Sequence, residues 1–122
     1  MTLQRDLFVA DATVPPPGRY RVRFTSHERL TSESRDTMWR LTASIVTGSY
    51  AGWSAYKMLT DDLKGLEWLE GAARRLGVKA GPTIPTALAA LGGLEATVST
   101  YHYRHATAGT FLTIRNVVAR GR

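Results

Sequence analysis

The chain contains no cysteine, which excludes disulfide frameworks, thiolate metal sites, iron–sulfur clusters and cysteine nucleophiles. It also lacks any uncharged apolar stretch of the ~20 residues that a membrane-spanning helix requires. The one apolar patch near the N-terminus, Leu7-Phe8-Val9-Ala10, is bracketed by Asp6 and Asp11 and is shorter than the core of a secretion signal. No membrane partner is expected, and the expected location is the cytoplasm. Neither a phosphate-binding glycine loop nor a nucleophile elbow occurs. His102 and His105 stand three apart, which on a strand sends them to opposite faces and spoils them as a metal pair. Asp61-Asp62 are explained by helix capping alone. The expectation is therefore a protein that is not an enzyme, with no cofactor and no metal. Acids are scarce too: ten Asp and Glu stand against sixteen Lys and Arg, leaving +6, a balance that suits a polyanionic partner.

What is present is ordinary for a globular chain. With 122 residues, 43% hydrophobic and 21% charged, it has enough apolar surface for one core and too little for two. Proline is sparse, and three of the five stand together in Pro15-Pro16-Pro17-Gly18. Fixed φ angles without amide donors neither continue a helix nor join a central strand. They divide an N-terminal arm, residues 1–14, expected to be mobile, from a single domain over 15–122.

From Arg19 the pattern has period two, with Tyr20, Val22 and Phe24 on one side and Arg19, Arg21 and Arg23 on the other. Residues His27 to Thr37 are polar and aperiodic, which predicts a loop. Trp39, Leu41, Ala43 and Ile45 then alternate with Met38, Arg40, Thr42 and Ser44, and a turn at Thr47-Gly48-Ser49 leads to a third strand over Gly52 to Leu59. Between Asp61 and Gly77 the period changes: Leu63, Leu66, Leu69, Ala72, Ala73 and Leu76 recur at spacings of three and four, one face of a helix. Thr60 is expected to cap it and Gly77 to end it. A second short helix is predicted from Pro85 to Leu91. Two strands follow, one with Leu94, Ala96 and Val98 inward and one with Leu112 and Ile114 inward, joined as a hairpin. Three strands, a helical insertion and two strands predict an all-β fold with a helix between strands three and four, the order of a five-stranded OB-fold barrel.

On such a fold the strand-one arginines would project about 7 Å apart, close to the phosphate repeat of an extended single strand. Arg40 would add a cation from strand two. If Lys57 faces water, Trp53 and Ala55 face water beside it, and Tyr56 and Met58 turn inward. Tyr101 and Tyr103 would emerge near Phe111 and Arg115, with Arg104 beside them, giving rings interleaved with cations. The predicted helix carries four of the ten acids, so the positive excess lies on the sheet, whereas helical DNA readers place theirs on the helix.

The run Pro16-Pro17-Gly18-Arg19-Tyr20-Arg21-Val22-Arg23-Phe24, with Met38-Trp39-Arg40-Leu41-Thr42 and Ile45-Val46-Thr47-Gly48-Ser49-Tyr50-Ala51-Gly52, resembles the DUF669 type of bacteriophage and prophage proteins. The resemblance covers residues 15 to about 59, and more loosely Ile114-Arg115-Asn116-Val117-Val118. It implies an OB-fold that binds single-stranded DNA in phage replication or recombination, with replication or recombination proteins as partners. Two departures stand out. Trp53 follows the Tyr-x-Gly turn where such proteins often carry arginine, and the chain ends in Ala119-Arg120-Gly121-Arg122 rather than in an acidic tail. A homo-oligomer, dimer or larger, is expected, because a small sheet leaves edges to cover. A protein-interaction or oligomerisation module and single-stranded RNA binding remain the alternatives.

Overall fold

In a computed structural model, residues 14–31 and 36–121 are described. The arm read over residues 1–14 falls outside them except for Val14, which packs against the core, and so do residues 32–35 of the polar segment. Five strands, β1 (Arg19–Thr31), β2 (Thr37–Ile45), β3 (Ser54–Thr60), β4 (Glu95–His105) and β5 (Gly109–Arg120), form a closed sheet in the order β1-β2-β3-β5-β4. Two helices, α1 (Leu63–Leu76) and α2 (Ile84–Leu91), lie in the chain between β3 and β4. All neighbours pair antiparallel except β3 with β5, which meet in parallel at Tyr56 and Thr113.

The inward sets follow the alternation closely in four strands. Val22 and Phe24, Leu41, Ala43 and Ile45, Ala96 and Val98, and Leu112 and Ile114 are all buried. Helices α1 and α2 add Leu69, Ala72, Ala73, Leu76, Ile84, Leu88 and Leu91. Each fully buried leucine among these contributes about 1.5–3 kcal/mol. Leu63, read as part of this face, is 68% exposed, because it opens the first turn before the helix reaches the sheet. The cap sits two residues later than expected: Asp62 accepts the Gly65 N–H at 3.2 Å, and the Thr60 hydroxyl donates to Asp62 at 2.6 Å. These hydrogen bonds, Thr60's above all, hold the Asp62 carboxyl below its usual range. Gly77 ends the helix at φ 72°, the left-handed geometry expected of it. Gly65 is fixed by close approach, since a Cβ there would meet the Thr60 carbonyl oxygen at 2.1 Å.

Two readings are corrected. The segment from His27 is strand rather than loop: β1 continues to Thr31, paired with β2 in the register Thr31↔Thr37. Beyond Arg19 to Arg23, which also pair with β4, β1 has β2 as its partner. There β1 is the outer strand on β2, whose other side pairs with β3, and His27, Glu28, Arg29 and Thr31 are exposed; a segment wetted on both faces needs no apolar alternation, so period two is absent there for a physical reason. The second correction is in β3, where Ala55 and Leu59 are buried and Met58 is exposed, the reverse of the reading that took Lys57 outward. Register explains it, because cross-strand partners share a face. Ala55 lies opposite the buried Ala43, and Tyr56 opposite Thr42.

Candidate nucleic-acid interface

The reversed face of β3 creates the site. Tyr56 and Met58, turned outward, form the floor of a groove of about 470 Å³, with Lys57 also lining it. Met38 and Arg40 of β2 form one side. The β4–β5 hairpin supplies the other, through Tyr101, Tyr103 and His105 with Phe111 and Thr113. The hairpin register sets Tyr103 opposite Phe111 and Tyr101 opposite Thr113, so one face of the ribbon presents all three rings. His105, at the tip, is held by the turn: its Nδ1 accepts the Thr107 and Ala108 N–H groups at 3.2 Å. His102, on the other face, contacts the Pro15 carbonyl at 2.7 Å.

The rings and cations are mutually arranged. Tyr56 and Phe111 meet edge to face with centroids 6.0 Å apart. The Arg40 guanidinium lies 5.7 Å from the Tyr56 ring and that of Arg115 lies 4.7 Å from the Tyr101 ring. Tyr103, 53% exposed, presents the most open ring of the set. The Lys57 ammonium sits 5.0 Å from the Trp68 ring of α1. Burial, and secondarily Arg115, lowers the Lys57 pKa. The long stem explains how a lysine occupies an inward register position while its head finds a ring.

Of the expected site residues, Arg40, Lys57, Tyr101, Tyr103 and Phe111 meet in this groove, and Arg115 adjoins it through Tyr101. Arg19, Arg21 and Arg23 do not line it. They point outward as read, but Arg21 and Arg23 both pair with Glu95, Arg21 at 3.0 Å. The absence of acids within the strand did not leave them unpaired, since the register places Glu95 opposite Arg23. Hydrogen bonding from Arg23 first, and then from Arg21, holds the Glu95 carboxyl below its usual range. The ladder is thus partly neutralised, and about 25 Å of strand separates Glu95 from Tyr103.

Trp53 is corrected as well. It precedes β3, packs against the core and lines a hollow that shares Tyr56 and Phe111 with the groove, so it is not a free ring beside Lys57. Arg104 alternates with Tyr103 and does not line the groove. Tyr56, Met38 and Met58 were missed as site residues. Tyr56 and Met58 became legible only once Ala55 was matched to Ala43.

Arg40 has one further feature. It forms an ion pair with Glu28, while its Nε is shut off from solvent without a hydrogen-bond acceptor. An unmade bond of that kind costs about 1–3 kcal/mol. Among the described residues no three His, Asp or Glu gather as a metal site, and no helix is long and apolar enough to cross a membrane. Compared with protein families and with curated proteins, the chain matches no family model and no curated protein.

Proposed function

We propose that the chain is an OB-fold barrel that binds single-stranded DNA with little sequence preference, as a binding protein and not as an enzyme. The observation that carries this reading is the groove, where four aromatic rings and three cations line or adjoin one concavity. Unpaired bases can enter such a concavity and stack, whereas the bases of a duplex are already stacked on each other. Every base has a flat face, so stacking discriminates weakly among sequences. In an OB-fold the face of strands two and three, with the loops of the flanking hairpins, receives oligonucleotides, and the groove occupies β2, β3 and the β4–β5 hairpin. The basic balance of the chain supports a polyanionic ligand. The resemblance of residues 15 to about 59 to DUF669-type proteins supports a phage or mobile-element setting, in the host cytoplasm, with a homo-oligomer extending a short contact.

The test is an anisotropy titration of a labelled oligo-dT at several salt concentrations. Three cations, Arg40, Lys57 and Arg115, predict a log–log salt slope no steeper than about −2, at roughly −0.7 per phosphate for single strands. No binding at low salt would overturn the reading. Concentration-dependent self-association without DNA binding would transfer the exposed Met58 and Tyr103 to a protein interface, and tighter binding of oligo-U would transfer the groove to RNA.

A further inference from the structure

A bulge in β1 decides what faces Arg40. Val22 and Phe24 of β1 are buried and Tyr20 is half-buried, but the register against β2 shifts between Phe24 and Ser26. After the shift Ser26 lies opposite Thr42 and Glu28 opposite Arg40, so even-numbered residues now share the outer face of β2. The bulge therefore delivers a carboxylate to the one groove cation that also lies over the Tyr56 ring. We propose that Glu28 is an internal stand-in for a nucleic-acid phosphate, seated on Arg40 in the free protein and exchanged for a backbone phosphate when the groove fills. The inference rests on the reading of the groove as a single-stranded DNA site.

Four observations converge on it. Carboxylate and phosphate offer a guanidinium the same paired-oxygen geometry, so one can replace the other on the same donors. Of the three cations at the groove, Arg40 alone carries an ion pair among the described residues, while Lys57 and Arg115 lie over rings. Both partners are partly open to solvent, Arg40 at 41% and Glu28 at 49% of the side chain, so exchange requires no unfolding. Glu28 also satisfies Arg40 incompletely, since the Nε remains without an acceptor. The resting arrangement thus sets aside a phosphate-binding group whose hydrogen-bonding capacity the carboxylate does not exhaust. Occupation by Glu28 weakens DNA binding and mutes its salt dependence, because the phosphate displaces a tethered carboxylate.

Glu28→Gln keeps the shape of the side chain and removes its charge. In the full chain it is expected to tighten oligo-dT binding about two- to fivefold, the range set by a solvent-facing ion pair, and to steepen the salt slope by up to about 0.7. Glu28→Thr, suited to an exposed strand, is expected to act in the same direction. In an Arg40→Ala background the Glu28→Gln effect should vanish, which a double-mutant cycle reads directly. Glu95→Gln, which releases Arg21 and Arg23 away from the groove, controls for bulk charge and should change affinity little. Unchanged or weaker binding by both Glu28 variants, equal tightening by Glu95→Gln, or persistence of the effect without Arg40 would each overturn the exchange while leaving DNA binding in place. Failure of the unsubstituted protein to bind oligo-dT would overturn both.

Discussion

Replacing Tyr103 by alanine separates the proposed binding role of the groove from its structural role. Tyr103 is 53% exposed on a two-stranded ribbon, and its side chain pairs across the strands with Phe111. A cross-strand aromatic pair contributes roughly 0.2–1 kcal/mol, so Tyr103→Ala is expected to lower the melting temperature by no more than about 4 °C in a domain of this size. The ring's expected contribution to the proposed binding is larger. Arg40 and Arg115 lie over Tyr56 and Tyr101, and Phe111 is engaged edge to face with Tyr56, which leaves Tyr103 as the most accessible stacking surface. Loss of one base–aromatic stack costs about 1–3 kcal/mol, a fall in affinity of about 5- to 150-fold. Tyr103→Phe keeps the flat face and should bind nearly as the parent does. The assay is the oligo-dT titration beside a thermal melt. Alanine affinity within twofold of the parent would refute the stacking argument, and a melting temperature lowered by more than 10 °C would show the ring to be a structural member instead.

Three other outcomes follow from the placement of single residues. Arg21→Ala should leave oligo-dT affinity within about twofold and the salt slope unchanged, because Arg21 is engaged by Glu95 outside the groove; a slope flatter by about 0.7 would put the β1 ladder in the DNA path. Trp53→Ala should cost stability of about 2 kcal/mol in urea denaturation, roughly half the cost of emptying a fully buried aromatic site, since the ring is half-buried against the core; an unchanged midpoint would free it for stacking. Lys57 holds its proton less firmly when folded, chiefly through burial, so between its folded and ordinary pKa values the unfolded chain binds more protons and stability rises with pH. Lys57→Met should abolish that alkaline rise without lowering the melting temperature at pH 7, and an unaltered pH profile would contradict the burial argument.

The order of elements was legible because the periodicity changes where the structure does. Period two over Arg19 to Phe24 and Met38 to Ile45 gives way to spacings of three and four from Leu63, and the inward sets of both regions are buried, with Tyr20, Trp39 and Leu66 half-buried and Leu63 exposed. The far half of β1 was illegible for the opposite reason. From His27 to Thr31 the strand has β2 as its partner, and an outer segment wetted on both faces imposes no apolar pattern to read. Hydrogen bonding to β2, not burial, makes it a strand.

The site was legible in part, and its two misreadings share one physical cause. In β3 both alternating sets contain apolar residues, Ala55 and Leu59 against Tyr56 and Met58, so local pattern does not select a face. Charge at Lys57 selected the wrong one, because a long stem lets an ammonium leave an inward position and settle over Trp68. On β1 the arginines looked unopposed because their acid lies 74 and 72 residues away, on a strand brought alongside only by closure of the sheet. Both facts belong to pairing between strands, which no window along the chain contains. The same pairing moved the proposed basis of binding from an exposed arginine ladder to a groove of rings in which Arg40 is the cation held by a carboxylate. Aromatic stacking should therefore dominate affinity, and salt should modulate it less than a basic ladder would require.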